Sequence, residues 1–164
     1  MDLKALYRDI ILDHYKKPRN TAPVEDPTVE ARCKNPACGD RVTLQLRVAN
    51  GTVEAVGLQG TGCAISQASA SMMTQAVKGS NLELARAKLH EFRRMIVDGV
   101  DETALDKAIL GDLITMQGVA KLHARVKCAL CGWSALEAAL DQREDEVDME
   151  LDKSLPDAKA GGNF

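Results

Sequence analysis

Apolar and polar positions recur along this chain with two different periods, and each predicts its own kind of element. From residue 3 to residue 15, Leu3, Leu6, Tyr7, Ile10, Ile11 and His14 return at three- and four-residue intervals, which sets them along one side of an amphipathic helix. Asp2 stands where it can cap that helix, and Pro18 follows its end. The segment KKPRNTAPVEDP is rich in proline and polar residues and reads as a loop. The period then drops to two. Val42, Leu44, Leu46 and Val48 alternate with Thr43, Gln45 and Arg47, so one face of a strand is apolar. Asn50-Gly51 follows, the strongest short hairpin signal, because both residues tolerate positive φ. The return strand, from about Thr52 to Gln59, alternates less cleanly. A two-residue turn pairs Val53 with Val48 and Ala55 with Leu46. Residues 28 to 33 form an earlier candidate strand.

Helical spacing returns beyond the hairpin. AISQASASMMTQAVK, residues 64 to 78, predicts a helix whose small residues allow close packing, with Gly79 suited to its C-terminal cap. Residues 81 to 97 predict another, capped by Asn81, with Leu82, Ala85, Leu89, Phe92 and Ile96 along one side. A shorter helical stretch is expected around 103 to 110, and GDLITMQGVAKLHAR is mixed in character. The last helix is predicted from about Lys127 to Gln142, with Trp133, Leu136, Ala139 and Leu140 facing inward. Residues 143 to 164 are acidic, then rich in Pro, Gly and Ala, and read as a disordered tail. The expectation is one α+β domain over residues 1–142, a small antiparallel sheet followed by a helical layer.

Composition narrows the function classes. The chain has 164 residues, 45% apolar and 27% charged, the balance of an ordinary soluble globular protein. Aromatic residues are only 3%, so the core must rest on aliphatic side chains and Met. Net charge is −3 and no basic cluster stands out, which argues against nucleic acid as a partner. No apolar run approaches the ~18 residues of a membrane span. Met1-Asp2-Leu3-Lys4 carries charge where a signal peptide needs an apolar core, so a cytoplasmic location is expected. Thiols stay reduced there, and an odd count of five cysteines argues against a closed disulfide framework.

Metal binding or thiol chemistry therefore becomes the natural role for a cysteine cluster. Cys38 lies in NPACGD, a tight polar turn before the first hairpin strand, and Cys63 lies in GTGCAIS just after the return strand. If Val42 and Gln59 face each other, Cys38 and Cys63 leave the same end of the hairpin. Cys63 sits at the mouth of a predicted helix and Cys128 at the start of the last one. Unpaired N–H groups at both places favour thiolate. Lys127 adds a neighbouring cation. Asp40 repels a Cys38 thiolate unless a cation lies between them, and three thiolates with one carboxylate suit tetrahedral Zn²⁺. Blander readings stand beside this one. Asp40 caps turns well, Cys63 fits as a small buried hydrophobe, and Cys128 and Cys131 have the spacing of a redox pair. His14 reads as a core or interface residue, His90 as solvated, and His123 as the one histidine near the cluster in sequence.

Four segments in order, LYRDIILDHYKKPRN, NPACGDRVTLQL, GTGCAISQASASMMTQAVKG and MQGVAKLHARVKCALCGWSALEAAL, resemble the U-type iron–sulfur cluster assembly proteins, and within them the SufU-type branch. The resemblance implies three antiparallel strands against a helical layer, with a metal site at one end made by Cys38, Asp40, Cys63 and Cys128. In the scaffold branch a histidine directly precedes the third cysteine; here that place holds Lys127. The second and third cysteines of the family pattern, here Cys63 and Cys128, are also 65 positions apart, as in the SufU-type branch. The resemblance thus implies zinc, with iron or a transient [2Fe–2S] cluster as the alternative. It implies a pyridoxal-phosphate cysteine desulfurase of the SufS type as sulfur donor, a downstream scaffold or apo-protein as recipient, and a partner histidine that displaces a zinc ligand. Cys38, on a turn rather than a helix, suits the sulfur acceptor best. Cys33 and Cys131 match no ligand of the family, and a packed core place for Cys131 is favoured over a second sulfur carrier.

Overall fold

The computed structural model describes residues 3–156; Asp2, the expected cap of the first helix, lies outside them. Helix α1 (Leu3–Lys16) precedes three strands, β1 (Val29–Asn35), β2 (Asp40–Ala49) and β3 (Thr52–Thr61). Helices α2 (Ala64–Val77), α3 (Leu82–Ile96) and the single turn α4 (Lys107–Leu110) follow. A 3₁₀ stretch over Gly111–Lys121 leads into α5 (His123–Leu140), and a short strand β4 (Glu146–Asp148) comes after it. The sheet has four strands in the order β3-β2-β1-β4, one more than expected. β1 and β3 flank β2 antiparallel, and β4 runs parallel to β1.

β4 falls in the segment expected to be a disordered tail. The acidic residues there have partners: Lys34 of β1 lies 3.7 Å from Glu146 and 3.8 Å from Asp148. Val147 between them packs against the core, while Met149 and Leu155 are buried. Alternating apolar residues thus tether a stretch whose composition alone looks disordered. Residues 157–164, the rest of that expected tail, lie outside the described residues.

The hairpin turns at Asn50, whose φ is +54°, and Gly51, with φ +71°, as the dipeptide predicts. Val53 pairs with Val48 as expected, but Ala55 pairs with Arg47 rather than Leu46. A β-bulge between Arg47 and Val48 leaves exposed Glu54 as the extra residue. That single insertion moves Val56 opposite Leu46 and Leu58 opposite Leu44, so β3 joins the buried face after its blurred start. Gly60, not Gln59, consequently stands opposite Val42.

α5 is the central helix. Almost every residue from Val126 to Leu140 is buried, because α5 is covered by β1 and β2 on one side and by α2 and α3 on others. Gly132 permits the close approach to α2, since a Cβ there would stand 2.9 Å from that of Ala70. The Trp133 indole N–H donates to Ser69 Oγ at 3.1 Å, and the ring stacks on Phe92 with centroids 4.4 Å apart. α1 packs on α2 through Ile10, Ile11 and buried His14, whose Nδ1 is 2.9 Å from Ser71 Oγ. Leu3 and Leu6, at the other end of its apolar face, remain exposed.

Candidate metal centre

Three elements end at one edge of the molecule. The link between β1 and β2 is the four residues 36–39, closed by the Cys38 N–H donating to Asn35 O at 3.2 Å. Cys38 is partly exposed on this turn, whereas Asp40, the first residue of β2, is 1% exposed. β3 returns antiparallel, so Thr61 faces Arg41 and the chain then passes Asp40. Gly62 makes that passage tight. Its φ is +144°, and a Cβ there would fall 2.3 Å from Asp40 Oδ1, so only glycine fits. Cys63 is the N-cap of α2. α5 packs on β1 and brings Cys128 to the side chain of Asn35, the last residue of that strand.

Cys38 Sγ, a carboxylate oxygen of Asp40 and Cys128 Sγ all lie within 4.8 Å of one another. Cys63 stands outside that trio but touches two of its members. Its backbone N–H donates to Asp40 Oδ1 at 2.9 Å, and its sulfur shares a hydrogen bond with Cys128. The Ser66 N–H also donates to Cys63 Sγ, at 3.4 Å. Those donors, led by Cys128, bring the Cys63 thiol down to about 7. Cys128 moves the other way. It donates to Cys63, it is buried, and Asp40 faces it, so its thiol is pushed far up. The sequence placed Cys128 at a helix start, where thiolate is favoured. α5 instead begins at His123, so Cys128 lies in the second turn, away from free N–H groups. No polar cap marks that start; Leu122 precedes it without a side-chain hydrogen bond.

Two further side chains belong to the centre and were not singled out from the sequence. Asn35 Nδ2 donates to Asp40 Oδ2 at 3.0 Å and to Cys128 Sγ at 3.4 Å. Arg125 Nη1 donates to Cys38 Sγ at 3.4 Å. The guanidinium is held charged more firmly than usual, first by its hydrogen bond with Cys128 and then by Cys63 and Cys38. The available signal was spacing: Arg125 is one helical turn before Cys128 once α5 starts at residue 123. The other sequence candidates lie elsewhere. His123 is exposed at the start of α5 and His90 is exposed on α3. Cys33 on β1 and Cys131 on α5 are buried together in the core, and the hydrogen bond between them is the main cause of the raised Cys131 thiol.

The donor set, soft sulfurs with one hard oxygen, is the set Zn²⁺ takes at four-coordinate sites. The buried Asp40 carboxylate, with each oxygen steered by an N–H donor, fits a preformed ligand rather than a surface charge. Among the described residues, no helix is long and apolar enough to cross a membrane.

The comparisons agree with this architecture. The model of the NifU-like N terminal domain matches residues 6–129. The zinc-dependent sulfurtransferase SufU of Bacillus subtilis (strain 168) is 43% identical over 87% of this chain and 95% of its own length. The iron–sulfur cluster assembly scaffold protein IscU of Streptococcus pyogenes serotype M1 is 35% identical, over 96% of both chains. A crystal structure of FiSufU from Fervidobacterium islandicum AW-1, a candidate assembly scaffold of the SUF system, superposes with a TM-score of 0.75 at 32% identity. It covers 80% of this chain and 94% of that one. On the length of the match and the closeness of these relatives, the chain belongs to the NifU-like N-terminal domain family of iron–sulfur cluster assembly proteins.

Proposed function

We propose that this protein is a zinc-dependent sulfur acceptor for iron–sulfur cluster assembly, taking persulfide sulfur from a pyridoxal-phosphate cysteine desulfurase on Cys38. The observation that carries the reading is the placement of Cys38: a partly exposed thiol on a short turn, within 4.8 Å of Asp40 and Cys128. Cys38, Asp40 and Cys128 hold the metal, and Cys63, already in contact with Asp40 and Cys128, completes the set. Bound there, Zn²⁺ supplies Lewis acidity that keeps its thiol ligands deprotonated. The 43% identity to a zinc-dependent sulfurtransferase supports the same assignment.

The chemistry of the acceptor is simple to balance. Cys38 Sγ attacks as a thiolate on the outer sulfur of the donor's persulfide. One S–S bond forms at Cys38 as the donor's S–S bond breaks, and the donor cysteine leaves as a thiolate. No external oxidant or reductant is needed. Arg125 donates a 3.4 Å hydrogen bond to the Cys38 sulfur, and Cys38 is a partly exposed residue of its turn, where an incoming partner can approach it. The buried Asp40 and Cys128 stay behind as fixed donors. The sulfur passes to a downstream scaffold or apo-protein in the cytoplasm.

Desulfurase turnover of cysteine to alanine tests this directly. Wild-type protein accelerates it, and Cys38→Ala abolishes the acceleration while keeping its circular dichroism. Undiminished stimulation by Cys38→Ala removes Cys38 as acceptor. A second reading, a scaffold that builds a transient [2Fe–2S] cluster on the same ligands, is favoured by the 35% identity to IscU over 96% of both chains. Anaerobic purification separates the two. Zinc with no visible cluster absorption supports the acceptor, and bound iron with acid-labile sulfide supports the scaffold.

A further inference from the structure

Asn35 closes β1 directly opposite Asp40, the first residue of β2. It is 1% exposed. An asparagine amide has two N–H donors and one oxygen. Here the nitrogen faces two acceptors, Asp40 Oδ2 at 3.0 Å and Cys128 Sγ at 3.4 Å. The oxygen, Oδ1, is buried without a hydrogen-bond partner among the described residues. The orientation follows from chemistry, since exchanging nitrogen and oxygen would set a carbonyl against the Asp40 carboxylate. An orphaned buried oxygen is unfavourable, so a residue that only filled space would do better as an apolar side chain of similar shape. The two donated hydrogen bonds are what this amide contributes, and both acceptors take part in the metal site proposed above.

We propose that Asn35 is a positioning residue for the metal centre. Together with the Cys63 N–H on Oδ1, its amide fixes the plane of the Asp40 carboxylate, one donor to each oxygen. The same amide restrains Cys128 from across the sheet, so ligands from β2 and α5 share one support. Hydrogen bonds to anionic acceptors are stronger than those between neutral groups. The support is therefore firmest when Asp40 and Cys128 carry the charge that a cation requires. This inference rests on the reading that these residues hold Zn²⁺.

The test compares full-length wild type with Asn35→Leu and Asn35→Ser. Zn²⁺ affinity is measured by chelator competition, and the ligand field by the visible spectrum of bound Co²⁺. Asn35→Leu removes the orphaned oxygen but also leaves the buried Asp40 Oδ2 without its donor, so the metal-free variant melts below metal-free wild type and the positioning role is read from metal binding. The variant's Zn²⁺ affinity falls about ten- to a hundredfold, and its Co²⁺ bands shift. If Asn35→Leu does not fold, Asn35→Ser is read by the same two measurements. Variants with wild-type Zn²⁺ affinity and an unchanged Co²⁺ spectrum overturn the positioning role while leaving the metal site intact. Wild type that binds neither metal overturns the site and the positioning role together.

Discussion

Gly62 decides how closely the start of α2 approaches Asp40. Its φ of +144° disfavours any side chain, and a Cβ would overlap the carboxylate at 2.3 Å. Gly62→Ala is expected to cost about 2–4 kcal/mol in urea unfolding, from backbone strain and overpacking together, and to weaken zinc binding as Asp40 is displaced. Unchanged stability and zinc content would show that the loop relaxes freely. Cys131 makes the opposite prediction for function. It is fully buried with Cys33, so Cys131→Ala is expected to lose about 1–2 kcal/mol of stability and to keep sulfur acceptance from the desulfurase. Lost acceptance with a stable fold would assign it a carrier role. At this scale hairpin pairing in the sequence draws Cys38 and Cys63 to one end, and the structure sets Cys38, Asp40 and Cys128 within 4.8 Å of one another. The four as a ligand set come from the family resemblance and stand as the proposal above. Asn35 and Arg125 stayed hidden. An asparagine before a proline reads as a turn residue, and an arginine in a mixed segment reads as solvated charge.

Elements were legible where one period ran unbroken. α2 and α3 lie within a residue or two of their predicted spans, and Asn81 caps α3 through Leu84 N–H at 2.7 Å. The register of β3 was not legible, because a bulge leaves no mark on composition and shifts every later pair by one. The start of α5 was hidden for want of a cap, and the stretch that read as mixed is 3₁₀ over Gly111–Lys121. Within this region Glu91 of α3 secures the approach to α4. Its side chain is 9% exposed; Oε2 accepts from the Asp106 N–H at 3.0 Å, and Oε1 accepts from Arg94 at 2.6 Å. The Asp106 N–H first, and then Arg94, hold its carboxyl below the usual range. A folded pKa below the unfolded one gives stability that is full above the ordinary carboxylate pKa and disappears as pH falls through the folded value. Glu91→Gln is expected to lose about 1–2 kcal/mol at pH 7 and to approach wild type at acid pH. A difference that stays constant across a pH series of unfolding curves would contradict this.

Across the whole molecule, the proposed ligands come from the β1–β2 turn, β2, the N-cap of α2 and the second turn of α5. A metal there ties sheet to helices, so its removal loosens the fold as a unit. With free Zn²⁺ a thousandfold above Kd, binding adds about 4 kcal/mol. Chelation is then expected to lower Tm on the order of 10 °C. An unchanged Tm after verified zinc removal would mean that the ligand-bearing segments hold one another without it. The order of helices and strands followed from the sequence, whereas the fourth strand did not, because Glu146–Asp148 is acidic and finds its counter-charges in Lys34 of β1 and Arg41 of β2.

The most direct measurement is mass spectrometry of the zinc-loaded protein after incubation with a cysteine desulfurase and cysteine, mapping where an added sulfur atom resides. The prediction is one extra sulfur on the peptide bearing Cys38, absent without the desulfurase. An added sulfur on Cys63, Cys128 or Cys131 with Cys38 unmodified, or none on any cysteine while the desulfurase turns over, would contradict it.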